Sequence, residues 1–248
     1  MQGRNNTRRS AWALLPGIVD QPTKTLGNLT SFPDSRWLLP TLLIVVALIL
    51  LAIVAGPYQA EEARRRIQLS MSNMTPEQAT AVSGQLERLS SPTIVIGGSI
   101  ITGLLGLVTA WLIASALLYF GGLIGGSDLN FGPVWRIIPW TWLPFGLRSL
   151  VQAGWIAYQQ KLIPYPGLSG LVATGDPMTD AKRPLFALLG QMDLFGLWHL
   201  VLIYAALRGG LRLSRNTAIW LTGIYAVISL GFRLGPALLA RAFMPSTG

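Results

Sequence analysis

Residues 37–56 read WLLPTLLIVVALILLAIVAG, twenty positions without a charged side chain. About 20 mainly apolar residues are what a helix needs to cross the hydrocarbon of a bilayer, where each backbone N–H and C=O must find its partner inside the segment. Residues 94–124, 137–160, 185–207 and 217–241 have the same character. Well inside these five stretches, only Arg148, Asp193, His199 and Arg233 carry an ionic or imidazole group. The expected fold class is all-α: a polytopic integral membrane protein with five transmembrane helices, an amphipathic N-terminal segment and a helical extramembrane loop.

Composition agrees with that class. The 248 residues are 51% hydrophobic and 12% charged, with a mean hydropathy of +0.49, whereas soluble domains carry about 25% charged residues. The net charge of +9 is spread over short loops and the N-terminus. Such scattered cations suit juxtamembrane anchoring at anionic lipid. Nucleic acid is not expected as a partner, because no basic stripe interleaved with aromatic residues is available for stacking on bases. The absence of cysteine excludes disulfides, thiolate metal ligands and a Cys nucleophile.

Three regions follow along the chain: a basic N-terminal surface segment (1–36), a membrane domain (37–241) and a short tail (242–248). The first carries Trp12, Leu14, Leu15, Ile18, Leu26, Leu29 and Phe32 among polar residues, as expected of a broken amphipathic segment lying on the membrane surface. Gly56-Pro57 is expected to end the first span, since proline removes a donor from the helical ladder. The loop hairpin over 57–93 then holds Glu61, Glu62, Arg64, Arg65 and Arg66, spaced for i,i+4 pairing, and a second helix starting at Thr75. Thr75 as N-cap, Pro76 in the first turn and Gln78 as the reciprocal partner form a capping box ahead of Ala79, Val82, Leu86 and Leu89.

The second span carries small residues at four-residue steps, Gly98, Thr102, Gly106 and Ala110. Such a face lets helix backbones approach closely in lipid, either within the chain or between copies of it. The third opens with Pro139, Trp140, Trp142 and Pro144, read as interfacial aromatics at a kinked entrance. Alternating topology places nine Lys or Arg on the N-terminal side and eight opposite. The compact, acid-free loop containing Arg208, Arg212 and Arg215 favours a cytoplasmic N-terminus.

The intramembrane charges are the candidate site. At a rise of about 1.5 Å per residue, Asp193 and Arg233 come to one depth and Arg148 about 6 Å deeper. The carboxylate would neutralise one or both arginines and fix which helix faces turn inward; the alternative use of the cluster is a solute or ion path. His199 is six residues beyond Asp193, a poor spacing for one helical face, and reads as a hydrogen-bonded packing residue. No nucleophile stands at triad spacing to it, and no HExxH, phosphate loop or metal-ligand cluster occurs in the sequence. No enzyme and no cofactor are expected.

Two stretches carry a family resemblance. GIVDQPTKTLGNLTSFPDSRWLLPTLLIVV (17–46) resembles the opening of a prokaryotic Yip-family domain, the group related to Ypt-interacting proteins. DLFGLWHLVLIYAALRGGLRLSRNTAIW (193–220) is similar to the family's Asp-x-Phe-x-x-Trp helix and its Leu-Ser-Arg turn, matched by Asp193, Phe195, Trp198, Leu213 and Ser214. The PEQAT segment at Pro76 looks like the loop helix of bacterial members. The resemblance implies a five-helix bundle with its N-terminus in the cytoplasm, in the inner membrane of a prokaryotic cell. The expected function is that of a scaffold, assembly or accessory subunit, with the lipid bilayer and either another membrane protein or a second copy as partners. Transport of a small solute or ion through the charged cluster is the rival.

Overall fold

The computed structural model describes residues 11–30, 35–72, 74–176, 179–180 and 183–243. Among the described residues the regular elements are helices, with no strand. We number the helices α1 (Leu15–Asp20), α2 (Pro22–Thr30), α3 (Leu38–Met71), α4 (Pro76–Leu89), α5 (Pro92–Ile124), α6 (Phe131–Thr141), α7 (Leu143–Gln159), α8 (Pro184–Gly190), α9 (Leu194–Ala205, continued by a π-helical turn, Ala206–Gly210) and α10 (Arg215–Phe243). By length and composition, the segments Leu38–Leu69 and Pro92–Ile124 can each cross a membrane, and a third span results if the pair α8 and α9, bent by 68°, is one crossing.

Several expectations about boundaries are corrected. The first span does not end at Gly56-Pro57; α3 runs through Pro57 to Met71. One missing N–H is outweighed by the strong helix formers that follow, Ala60, Glu61, Glu62 and Ala63, and by the ion pair of Glu62 with Arg66 at 3.1 Å one turn later. Gly56 has another use. A Cβ there would collide with the Ile96 side chain, so its missing side chain sets how closely α5 approaches. The stretch 137–160 is interrupted at Trp142, between α6 and α7. The stretch 185–207 is interrupted between Gly190 and Leu194. The capping box at α4 is present, with Gln78 N–H donating to Thr75 Oγ1 (3.4 Å) and Thr75 N–H donating to Gln78 Oε1 (3.3 Å).

The chain divides into two compact units. The second comprises Ile44–Ala110 and Gly146–Pro164. Its core is built from small and branched side chains, among them Ile44, Ala47, Ala60, Leu107 and Ile156, all buried. Gly103 admits Leu48, whose Cδ2 would lie 2.9 Å from an added Cβ, and Gly146 admits Ile44. Ser99 Oγ donates to Gln59 Oε1 at 3.2 Å, a polar tie between α5 and α3. The expected packing face is turned the other way: Gly98, Thr102 and Gly106 are exposed, and among the described residues nothing lies within 4 Å of a Cβ built on Gly98 or Gly106. Four-residue steps of small residues run down more than one face of α5, and the bulk of Leu48 selects the face with Gly103.

The first unit comprises Met1–Leu43, Trp111–Phe145 and Tyr165–Gly248. Here the N-terminal segment is docked on protein, with α2 packed against the π-helical turn, α6 and α9. Of the apolar residues expected to lie on the membrane surface, Ile18, Leu26 and Leu29 are buried against protein, whereas Trp12 is exposed. The fit requires glycine on both partners: a Cβ on Gly27 would lie 2.9 Å from the Gly209 carbonyl oxygen, and one on Gly209 would collide with the Thr23 carbonyl. Phe32, part of the same sequence reading, lies outside the described residues.

Candidate functional site

The break between α6 and α7 creates the site. Pro144 has no N–H for the Trp140 carbonyl, and the chain tightens locally, with Phe145 N–H donating to the Trp142 carbonyl (3.0 Å) in place of the carbonyl of Thr141. The Thr141 carbonyl, deep in the first unit, is thereby released from the helical ladder. His199 on α9 takes it up. Its Nδ1 lies 2.7 Å from the Thr141 oxygen, and since a carbonyl only accepts, Nδ1 carries the proton. In the neutral ring Nε2 is then an acceptor, and the Tyr225 hydroxyl of α10 donates to it at 2.8 Å. Three helices are joined through one imidazole.

Aromatic rings enclose this tie. Trp142 meets the imidazole edge-on with centroids 5.4 Å apart, and Phe145 lies at 4.8 Å. Trp111 continues the cluster, edge-on to both Trp135 and Trp142. Trp140, expected at the membrane interface, is fully buried, because α6 is covered by α2 and α9. His199 is 3% exposed and Tyr225 4%. The packing role read for His199 from its spacing corresponds to this arrangement, although neither partner was visible in the sequence: Thr141 contributes a main-chain atom, and Tyr225 is 26 residues away on another helix. The one available signal was Pro144, which breaks the helical ladder beside the Thr141 carbonyl.

Asp193 was read as a mid-helix charge and is instead the N-cap of α9. Its extended backbone (φ −143°, ψ 175°) precedes the helix, and Oδ1 accepts the Gly196 N–H at 2.8 Å. The carboxylate also sits at the positive end of the helix dipole. Arg148 lies on α7 in the second unit, half-buried. Arg233 lies on α10, and its side chain is outside the described residues.

Opposite the break at Asp193, the loop before α8 folds back onto that helix. Gly167, at φ +57°, is surrounded by the carbonyl oxygens of Leu189, Gly190 and Met192, each within 2.9 Å of a would-be Cβ, and Leu168 N–H donates to the Leu189 carbonyl (2.9 Å). The loop thereby satisfies one helix-end carbonyl of α8, that of Leu189. Beyond it, Asp180 holds a second loop. Both carboxylate oxygens take the Thr174 N–H (2.9 and 3.0 Å), Oδ1 takes the Thr174 hydroxyl (2.9 Å), and Arg183 approaches to 3.5 Å. Burial pushes the carboxyl upward, but the hydrogen bonds from Thr174 and the Arg183 charge together outweigh it and hold it below the usual carboxylate value.

Between α9, α10 and Phe145 lies a cavity of about 360 Å³, bordered by His199, Tyr225, Asp193, Gln191 and Ser229 and otherwise walled by apolar residues, five of them leucines.

Residues 12–234 match the Yip1 domain. The chain belongs to the Yip1 family. It is accordingly a membrane protein, and the exposed leucines, isoleucines and valines of α3, α5 and α10, such as Leu42, Ile53, Leu105 and Val227, are the apolar surface that such a protein turns to lipid. No curated protein and no solved structure matches this chain.

Proposed function

We propose that this Yip1-family protein is a non-enzymatic scaffold, assembly or accessory subunit of a membrane-protein complex, crossing a prokaryotic cell membrane five times with its N-terminus in the cytoplasm. The observation that supports it is the outward face of α5. Gly98 and Gly106 leave the backbone open over two turns, and the Thr102 hydroxyl between them donates to the Gly98 carbonyl at 2.7 Å, so a partner helix approaching there meets no hydroxyl in need of an acceptor. Close van der Waals packing over small residues is the main attraction between helices in lipid.

The test is extraction in mild detergent followed by mass spectrometry. A stoichiometric membrane-protein partner, or a second copy, is expected with the native chain and is lost in Gly106→Leu. A monomer in every mild detergent, or a partner retained by Gly106→Leu, would overturn the reading. Liposome flux of a small solute or ion that disappears in Asp193→Asn would replace it with transport. Because the chain has no cysteine, single cysteines placed in the N-terminal segment and in each connecting loop report sidedness directly, and five crossings require residues 11 and 243 to label from opposite sides.

A further inference from the structure

We propose that the cavity between α9 and α10 binds one hydrocarbon chain of a membrane lipid. Its walls include Phe145, Leu197, Leu200, Ala226 and Leu230, and its volume, about 360 Å³, falls at the lower end of the roughly 300–1,000 Å³ typical of ligand pockets. One chain fits that range better than a bulky ring system.

Two observations select hydrocarbon over water. The first is the polar inventory of the wall. Both nitrogens of His199 are already hydrogen-bonded, to the Thr141 carbonyl and the Tyr225 hydroxyl, and Asp193 Oδ1 is committed to the Gly196 N–H. A buried water needs two to four polar partners, and beyond these committed groups the only polar side chains on the wall are Gln191 and Ser229. The second is the rim. Leu194 and Leu197 border the cavity and are 75% and 61% exposed; in a membrane protein, leucines so exposed face lipid tails, so the cavity opens onto the phase that supplies its occupant. A chain entering it restores the dispersion contacts that the lining side chains would otherwise lack.

The origin of the cavity is legible in the backbone. The 68° bend between α8 and α9 turns α8 away from the line of α9 and leaves the first turn of α9 beside α10 without a continuous helical neighbour.

The full-length protein in lipid nanodiscs containing a phosphatidylcholine with a mid-chain diazirine would be irradiated, and the adducts located by mass spectrometry. Adducts are expected on the half-buried Leu200 or Leu230 in excess of those on Leu105, an exposed residue of α5. Ala226→Phe is expected to lower the cavity adducts by about tenfold while leaving Leu105 unchanged, because the added ring occupies the space of the chain. Ala226→Leu, a smaller filling, gives the same direction should the phenylalanine variant fail to fold. Cavity adducts no more abundant than those on Leu105, or unchanged in both variants, would overturn the proposal.

Discussion

The Tyr225 hydroxyl and His199 Nε2 are 2.8 Å apart, and the direction of the bond is fixed by an atom on a third helix, the Thr141 carbonyl that holds the proton of Nδ1. Tyr225→Phe removes the donor and leaves Nε2 buried without one. Interhelical hydrogen bonds in membrane proteins average about 0.6 kcal/mol, and an orphaned buried acceptor costs about 1–3 kcal/mol. A loss of about 1 kcal/mol in unfolding free energy is expected by denaturant titration in detergent. The double variant His199→Phe with Tyr225→Phe should lose less than the sum of the singles, because the orphan is gone. Strict additivity would show that the bond contributes nothing.

Gly209 and Gly106 predict opposite outcomes for the same change. At Gly209 a methyl group collides with the Thr23 main chain, so α2 must shift as a body, and Gly209→Ala is expected to cost about 1–3 kcal/mol. At Gly106 the methyl meets nothing within 4 Å, and Gly106→Ala should gain up to about 1 kcal/mol in helix propensity. Thermal unfolding of the two variants side by side checks both. Equal shifts would mean that α2 is not held against the π-helical turn.

The contrast between these glycines also shows what the sequence could reveal. Apolar length announced a helical membrane protein, and the Thr75-Pro76-Gln78 signal placed a helix start correctly, because capping is decided within four residues. The family was legible for a related reason: Asp193, Phe195 and Trp198 form a local pattern. Which small residues of α5 make contact was not local. Gly103 rather than Gly106 packs inward because Leu48, 55 residues earlier, fills the space beside it. Asp193 likewise looked like a charge within a span until the break after Gly190 made it a cap, and no periodicity encodes the 68° bend there. The imidazole tie needed two such non-local facts, a freed carbonyl and a distant phenol.

Asp180 makes the 172–183 loop sensitive to acid. Its carboxyl is held below the ordinary value of 3.8 in the folded protein, so the stabilisation is complete above that value and is lost as pH falls through the lower, folded value. Hydrogen exchange at Thr174, corrected for the intrinsic rate, is expected to show protection near neutral pH that is lost in acid as the lowered carboxyl of Asp180 takes up its proton. Asp180→Asn carries one fewer acceptor oxygen and no charge for Arg183, and should exchange quickly at both pH values. Protection that persists in the variant would assign the loop's order to other contacts.

Asp193 separates its two proposed uses through one pair of substitutions. As the cap of α9, its oxygen accepts the Gly196 N–H at 2.8 Å, and asparagine supplies an equivalent oxygen, since Asn and Asp are comparable N-caps. Asp193→Asn should therefore stay close to the native stability, apart from the charge–dipole part, about 0.3–1 kcal/mol. Asp193→Ala loses both the acceptor and the charge and is expected to cost about 1–2 kcal/mol. If the carboxylate instead serves chiefly to neutralise intramembrane arginines, the order changes: Asn becomes as damaging as Ala, because either one strands a guanidinium in hydrocarbon. Unfolding midpoints of the two variants in one detergent decide between capping and charge neutralisation, and capping predicts that Asn lies nearer the native protein than Ala does.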